Sequence, residues 1–229
     1  MFKMLFWILF LGVISSFTPP VKEFVSVQDL PLQLSGSVGT ENELVIYLTG
    51  DGGWNSFSQK LTREIEQKGY GVVTLNSRKY FRNKKTPEVF AKDIELLSNY
   101  YLKAWNKTSV IIVGYSFGAD VAAFLPKRLT KSLLARMDHI ALVSPSASTD
   151  FVINLLDLIG DSKNVRRKYK LSTELNQPAL PIVCIFGMKE DLKLKNTLQN
   201  KPEITIHELP GSHNYKNSTE LLIKSIGLK

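Results

Sequence analysis

A chain of 229 residues, of which 44% are hydrophobic and 10% aromatic, has enough apolar side chains to close one sizeable core. This composition excludes an intrinsically disordered chain. Lys and Arg outnumber Asp and Glu by 29 to 21, and the net charge of +8 leaves nucleic acid, an anionic membrane or an acidic substrate open as partners. A single cysteine, Cys184, excludes an internal disulfide and, with only three histidines, a Cys/His zinc site.

The first 16 residues have the pattern of a secretory signal peptide. Lys3 gives a basic start, residues 4–14 form an unbroken apolar run, and Ser15 and Ser16 supply small residues at its end. The run is shorter than the ~20 residues that cross a bilayer, so we expect a cleaved signal, with a retained anchor as the alternative. Cys184 lies far from this segment, so no cysteine is placed for lipid attachment. The sequence predicts an exported protein with one domain over residues 17–229.

The remaining sequence alternates short apolar runs with helical patterns. In chain order, we predict strand 43–50, helix 56–68, strand 71–77, helix 86–105, strand 109–114, helix 117–129, strands 139–144, 180–186 and 203–209, and helix 215–226. Thr86 and Pro87 are a typical capping residue and first helical residue. Apolar strands that alternate with helices predict a mostly parallel sheet covered on both faces.

Gly114-Tyr115-Ser116-Phe117-Gly118 lies where the third helix follows its strand. In this strand–turn–helix context, the pattern G-x-S-x-G is typical of a nucleophile elbow, in which the serine stands above the end of the sheet. The glycines on both sides are needed because such a turn is crowded. The motif therefore predicts Ser116 as a catalytic nucleophile.

A serine nucleophile needs a base and an acid, which follow it in the order acid, then histidine, in elbows of this kind. His213 fits because it lies in the loop after the last predicted strand, whereas His139 begins a strand too close in sequence to the elbow and His207 lies within a strand. The acid should follow the strand 180–186, where Glu190 and Asp191 are adjacent. We favour Asp191, because its distance past the strand suits a loop that bends back toward the histidine, with Glu190 as the alternative.

The glycine-rich segment 49–54 (TGDGGW) follows the first strand, where this arrangement places one amide of an oxyanion hole. The other amide belongs to the residue after the nucleophile, Phe117. We assign the first amide to Asp51 or Gly52, with Asp51 preferred. The segment contains no phosphate-loop pattern, and the predicted chemistry requires no metal and no cofactor.

Four segments together resemble the bacterial virulence protein family of VirJ and AcvB: TGDGGW at 49–54, SRKYFRNKKTPE at 77–88, GYSFGADV at 114–121 and PGSHNY at 210–215. The resemblance implies an α/β-hydrolase fold, a periplasmic location and hydrolysis of the lysyl ester of lysyl-phosphatidylglycerol. The family's serine and histidine correspond to Ser116 and His213, and its acid to Asp191 or Glu190. Family members often have a second cysteine after the strand of Cys184, which this sequence lacks.

Residues in these segments are also the expected substrate contacts. We predict contacts from Trp54, Tyr115, Arg78 and Tyr80, and expect Asp51 to receive a substrate amine better than Asp93 or Asp120 would. Asp120, four residues past the serine, is expected to lie beneath the elbow.

Basic residues cluster after two of the predicted strands, at the sheet edge where the serine should emerge. The clustering favours peripheral contact with an anionic membrane, and a solvated basic surface is the alternative. The ten cations are Arg78, Lys79, Arg82, Lys84, Lys85, Lys163, Arg166, Arg167, Lys168 and Lys170.

Residues 145–179 are where such a fold accepts a cap or lid, and their apolar residues are expected to form core or substrate subsites. The predicted function is hydrolysis of a lipid or aminoacyl-lipid ester by an exported serine hydrolase. Two alternatives are a non-catalytic envelope binding protein on a hydrolase scaffold and a soluble esterase or thioesterase. No nucleic-acid reader motif is present, and the sequence does not predict an oligomeric state.

Overall fold

The computed structural model describes residues 26–153, 167–190, 193–213, 215 and 218–228. The predicted signal peptide lies outside these residues, and so do Asp191, Lys163 and Arg166. Among the described residues, no helix combines the length and apolar character needed to cross a bilayer.

The described residues form nine strands and eight α-helices, preceded by a 3-10 helix at Val27–Asp29. The strands are β1 (Leu32–Leu34), β2 (Glu43–Leu48), β3 (Gly71–Leu75), β4 (Ser109–Tyr115), β5 (Met137–Val143), β6 (Ser148–Thr149), β7 (Tyr169–Lys170), β8 (Ile182–Gly187) and β9 (Ile204–Leu209). The helices are α1 (Ser56–Gln67), α2 (Ser77–Tyr80), α3 (Pro87–Ala104), α4 (Phe117–Ala122), α5 (Lys131–Leu134), α6 (Leu171–Glu174), α7 (Lys193–Leu198) and α8 (Thr219–Ile226).

Seven of these strands form one sheet in the order β1-β3-β2-β4-β5-β8-β9. All neighbours in it are parallel except the edge pair β1 and β3. The predicted, mostly parallel sheet is confirmed. The other six strands of this sheet run in one direction, so the loops after their carboxyl ends meet at a single edge: β2, β3, β4, β5, β8 and β9.

Alternate residues of each central strand pack against different helices. Ile46 and Ile112 lie in a core that also holds the buried faces of α3 and α4, whereas Val45 and Val113 face α1 and α8. Both faces of the sheet are therefore covered, which explains why these strands read as continuous apolar runs.

Two predicted helices are shorter in the structure than in the sequence pattern. Helix α4 ends at Ala122 rather than near residue 129, because Pro126 lacks an amide hydrogen and disfavours helical backbone in the residue before it. Helix α8 begins at Thr219 rather than at Tyr215, whose φ of 46° is not helical. Strand β1 was not predicted, since its three residues are too few to show a period.

The described part of the expected cap, residues 145–153 and 167–179, is small. Strands β6 and β7 pair antiparallel, and helix α6 follows at once. Phe151 is fully buried, and its ring packs against those of Phe81, Phe90 and Phe124. This part of the cap segment therefore adds to the core, as expected for its apolar residues.

Candidate active site

Ser116 lies between β4 and α4 with φ of 53° and ψ of −120°, a strained conformation for a residue other than glycine. The flanking glycines explain how the chain accepts it. A Cβ on Gly118 would lie 2.2 Å from the carbonyl oxygen of Leu48, and a Cβ on Gly114 would lie 2.5 Å from that of Gly118. Strand β2 and the start of α4 thus touch through backbone alone, and the serine is held at the carboxyl edge of the sheet.

His213 lies in the loop after β9 and reaches the serine. Its Nε2 is 2.8 Å from the Oγ of Ser116, so the serine hydroxyl can donate to an unprotonated ring nitrogen. The histidine backbone is held by Tyr115, whose hydroxyl donates to the carbonyl of His213 at 2.8 Å. The predicted pairing of nucleophile and base is therefore present in the geometry.

The carboxylate that faces His213 in the structure is Glu190. Its Oε1 lies 2.6 Å from Nδ1 of the imidazole, which donates because an ionised carboxylate only accepts. Glu190 is the residue that the sequence left as the alternative, whereas the favoured Asp191 lies outside the described residues. The chain bends at once after β8, with the Glu190 amide donating to the carbonyl of Gly187 at 2.9 Å. A carboxylate three residues past the strand therefore already faces the histidine.

The second oxygen of Glu190 is surrounded by donors. Oε2 accepts from the amide of Gly187 at 2.6 Å and from the hydroxyl of Ser144 at 2.8 Å, and the hydroxyl of Tyr215 lies 3.4 Å from it. Neither hydroxyl was singled out from the sequence. One signal was available for Ser144, a polar residue directly after the apolar strand β5, at the edge where the site forms.

The charges in this row of side chains favour an ionised acid beside a basic imidazole. Burial works to raise the pKa of Glu190, but hydrogen bonds from His213, Gly187 and Ser144 together hold that pKa below its usual range. The hydrogen bond to Glu190 raises the pKa of His213 above its ordinary value, against the opposing effect of burial. The arrangement matches a serine, histidine and acid triad in geometry and in charge.

The segment between β2 and α1 lies against the nucleophile, as the assignment of an oxyanion hole requires. A Cβ on Gly50 would lie 3.2 Å from the ring of Tyr115 and 3.4 Å from the Cβ of Ser116. The amide of Gly53 donates to the carbonyl of Gly50 at 3.0 Å, so Asp51 and Gly52 form the tip of a tight turn.

The amides assigned to the oxyanion hole have no acceptor in the part of the chain that the structure describes. Phe117 is the first residue of α4 and has no partner for its amide within the helix. Among the described residues, no backbone oxygen accepts from the amides of Asp51, Gly52 or Phe117. These donors are thus available to a developing oxyanion.

Two of the predicted substrate contacts are buried instead. Tyr80 is 2% exposed and donates to Asp93 at 2.5 Å, and Tyr115 is 8% exposed with its hydroxyl on the histidine loop. Both are corrected to supporting roles, because neither side chain faces solvent. Trp54 lines a cleft between α1 and the β1–β3 edge rather than the surroundings of His213. Arg78 is exposed beside Gly53 and stays a predicted contact.

Of the three aspartates considered for binding an amine, only Asp51 is exposed. Asp93 and Asp120 are buried. The Oδ1 of Asp120 accepts from the amide of Ser146 at 2.6 Å, and its Oδ2 lies 4.0 Å from Arg167. Through the hydrogen bond with Ser146, Asp120 supports the loop after β5 from beneath the elbow. Burial raises the pKa of Asp120 to about 7.

Most of the described cations expected at the catalytic edge are exposed. The exception is Lys85, which is 2% exposed with its ammonium 5.0 Å from the ring centre of Tyr80, so it is not part of a basic surface. Arg167 is partly exposed. The exposed members are Arg78, Lys79, Arg82, Lys84, Lys168 and Lys170.

A cleft of about 400 Å³ opens beside His213 and Glu190, between the loops that follow β5 and β8. It has room for part of a small substrate. Its walls include Pro145, Phe186, Lys189 and Leu194. A larger cleft of about 1030 Å³ between α1 and α8 is lined by none of Ser116, Glu190 and His213.

One known protein family matches most of this chain. The family described as bacterial virulence protein (VirJ) matches residues 42–228, which include Ser116, Glu190 and His213. This chain belongs to the VirJ family. A search of curated protein sequences finds no match.

Solved structures with the same fold are esterases and hydrolases of low sequence identity. A hydrolase from Oleispira antarctica is 16% identical, with a TM-score of 0.62 over 89% of this chain and 98% of that one. A lipase-esterase related protein from Clostridium acetobutylicum is 13% identical, with a TM-score of 0.61 over 86% and 98%. Est1E from Butyrivibrio proteoclasticus is 14% identical, with a TM-score of 0.59 over 85% and 89%. These similarities show that the VirJ-family chain has the α/β-hydrolase fold.

Proposed function

We propose that the protein is a serine hydrolase of carboxylic esters, with Ser116 as nucleophile, His213 as general base and Glu190 as the acid that orients the histidine. The observation that carries the proposal is the continuous row of contacts, 2.8 Å from Ser116 to His213 and 2.6 Å from His213 to Glu190. A binding module has no need for a strained serine aligned with a base and an acid.

The reaction proceeds in two acyl-transfer steps. His213 takes the proton of Ser116 as its Oγ attacks the ester carbonyl, and the amides of Phe117 and of Asp51 or Gly52 stabilise the oxyanion. The protonated histidine then gives its proton to the departing alcohol, which leaves an acyl-serine. Water, activated by the same histidine, releases the acyl group and restores Ser116.

Labelling with a fluorophosphonate tests the nucleophile. We expect the purified protein to be labelled once, at Ser116, and the Ser116→Ala variant to be unlabelled. Ser132→Ala, which removes an exposed serine of helix α5, is the matched control and should label like the wild type. Folded wild-type protein that resists the reagent would exclude the proposed nucleophile, and full biological activity of Ser116→Ala would favour the binding-protein alternative.

For the substrate, we propose the lysyl ester of lysyl-phosphatidylglycerol, on the basis of the resemblance to the VirJ and AcvB family and the charge at Asp51. Burial and the charge of Glu190 raise the pKa of Tyr115, and the hydrogen bond to Glu190 raises that of His213. The charge of the exposed Asp51 adds to both effects, so Asp51 lies near these side chains. A carboxylate beside an oxyanion hole opposes the negative charge that develops there, unless the substrate brings a cation of its own. A lysyl ester supplies two ammonium groups.

Release of free lysine from vesicles that contain lysyl-phosphatidylglycerol tests this substrate. The wild type should release lysine, and Ser116→Ala should not. Asp51→Asn keeps the backbone amide and should lower kcat/KM for the lysyl ester by roughly fivefold, the effect of a ~1 kcal/mol exposed ion pair, with little change for a neutral acyl ester. Equal losses on both esters would count against an ammonium contact at Asp51.

We further propose that the basic edge holds the enzyme against anionic lipid. Arg82 and Lys84 are exposed after β3, and each basic residue near such a surface contributes ~1 kcal/mol. Charge reversal of this pair should weaken vesicle binding more than reversal of Lys68, which follows α1, and Lys103, in the last turn of α3, because these two helix ends lie at the opposite edge of the sheet. Binding should also fall as salt rises. Equal effects of the two reversals would favour the solvated-surface alternative and a soluble esterase.

The cellular location of the protein is proposed from its first residues. We propose that residues 1–16 direct export to the periplasm and are then removed, and that residues 17–229 form the single catalytic domain. Fractionation of cells and N-terminal sequencing of the mature protein test this directly. A protein that keeps its first residues and stays with the membrane after a salt wash would favour the retained anchor.

A further inference from the structure

The acid of the proposed triad has a more elaborate support than its contact with the histidine requires. Only Oε1 of Glu190 faces His213, yet the hydroxyls of Ser144 and Tyr215 both approach Oε2. The two hydroxyls also contact each other at 2.8 Å. Ser144 is 4% exposed and Tyr215 is 1% exposed, so water does not compete for these hydrogen bonds.

The direction of these hydrogen bonds follows from the number of protons. An ionised Glu190 only accepts, so Ser144 gives its single hydroxyl hydrogen to Oε2. The Ser144 oxygen is then free to accept the single hydroxyl hydrogen of Tyr215 at 2.8 Å, so Tyr215 acts on the carboxylate through Ser144. The carbonyl of Ile185 and Oε2 of Glu190 are the more distant acceptors of that hydrogen, each at 3.4 Å. Tyr215 belongs to the histidine loop and Ser144 to the end of β5, so the network ties the acid to two different segments.

The backbone at both positions supports a specific role. Ser144 has φ of 53° and Tyr215 has φ of 46°, a region that side chains other than glycine, asparagine and aspartate seldom occupy. Such a conformation persists only where the surroundings over-determine it, and it is common near active sites. Here it brings each hydroxyl to the acid.

A glutamate needs this support more than an aspartate would. Its side chain has one more rotatable bond, and it lies in a loop rather than on a strand or a helix. Without donors on Oε2, rotation about the last bonds would move Oε1 away from Nδ1 of His213, and the imidazole would lose its fixed tautomer and orientation.

We infer that Ser144 and Tyr215 are positioning residues of the hydrolase: Ser144 holds the carboxylate of Glu190 aimed at His213, and Tyr215 holds the Ser144 hydroxyl in place. The inference rests on the proposed function, since it assigns these residues a role through the triad acid. Neither hydroxyl touches the reacting atoms.

A double-mutant cycle with Glu190 tests this role. We expect Ser144→Ala to lower kcat about tenfold and Tyr215→Phe severalfold, both with KM unchanged, on a soluble ester. If the hydroxyls act through the acid, adding either substitution to Glu190→Ala should cause little further loss. Ser98→Ala removes a buried hydroxyl that donates to the carbonyl of Ile94 within α3, away from the site, and it should leave kcat near the wild-type value.

The outcomes separate the possible failures. A wild type that cleaves no ester defeats the proposed function itself. An active wild type in which Ser144→Ala keeps full kcat overturns the inference, and so does a tenfold loss that is repeated in the Glu190→Ala background. If Ser144→Ala does not fold, Ser144→Gly removes the same hydroxyl while suiting the positive φ, and the cycle is run with that variant.

Discussion

Replacement of Glu190 by glutamine is the most informative single change, because the structure fixes which way the new amide would turn. The amide of Gly187 donates to Oε2 at 2.6 Å, and a backbone N–H cannot become an acceptor. In Glu190→Gln, the carbonyl oxygen must therefore take the Oε2 position, and the NH2 group must take the position of Oε1, opposite His213.

This orientation reverses the hydrogen bond to the histidine. The NH2 group donates to Nδ1 of His213, so the imidazole carries its proton on Nε2 and cannot accept the proton of Ser116. Conversion of a triad carboxylate to an amide lowers kcat by ~10⁴-fold, which corresponds to ~5 kcal/mol of transition-state stabilisation. We expect a loss of this size for Glu190→Gln, with KM close to the wild-type value.

Steady-state hydrolysis of a soluble chromogenic ester measures the effect, with urea unfolding as a check that the variant is folded. Asp191→Asn is the matched control and should keep kcat within a few-fold of the wild type. A folded Glu190→Gln that retains more than a tenth of the activity, together with a large loss in Asp191→Asn, would refute the assignment and return the acid to Asp191.

Three further predictions concern pH and packing. The hydrogen bond to Glu190 raises the pKa of His213, and only the neutral imidazole is a base. The acid limb of the pH profile of kcat/KM should therefore lie above the ordinary histidine pKa of ~6.5 and move to lower pH in Glu190→Ala. An acid limb at or below ~6.5 in the wild type would contradict this prediction. Burial raises the pKa of Asp120 from 3.8 to about 7, so the folded state binds its proton more tightly than the unfolded state does, and this stabilisation is lost as pH rises from about 4 to about 7. In urea unfolding, the stability of Asp120→Asn should not show that loss. Identical pH profiles of stability for the variant and the wild type would refute the prediction. In Gly118→Ala, the new Cβ would lie 2.2 Å from the carbonyl oxygen of Leu48. The substitution should destabilise the fold by ~1–3 kcal/mol and lower kcat, because it displaces the oxyanion segment. Unchanged urea unfolding and unchanged kcat would show that this segment can move without cost.

The strands and long helices were predictable because each carries its own local signal. Buried parallel strands such as β4 are continuous apolar runs, and α3 has a capping threonine and a first-turn proline. Boundaries were less predictable where a single residue overrides the period, as Pro126 does for α4. The short elements β1, α2 and α5 were missed because three or four residues do not establish a pattern.

That Ser116 and His213 would lie together was also predictable, since the elbow has a sequence signature and few histidines were available. Which carboxylate would contact the histidine was not predictable, because Glu190 and Asp191 are neighbours and spacing alone hardly separates them. The predicted roles of Tyr80 and Tyr115 as substrate contacts were wrong for a different reason. A tyrosine near a motif looks like a substrate contact, but burial and its hydrogen-bond partner decide its role.

The sequence by itself determined the alternating architecture, the elbow with its serine, the histidine and the excess of positive charge, because each is a property of a short segment or of composition. Tertiary structure decided which carboxylate meets His213, which cations stay exposed, and that Ser144 and Tyr215 converge on Glu190. Those contacts join residues from separate loops, the hydroxyls lying 46 and 25 positions from the acid. Only the parallel sheet, by bringing the carboxyl ends of β5, β8 and β9 to one edge, makes them neighbours.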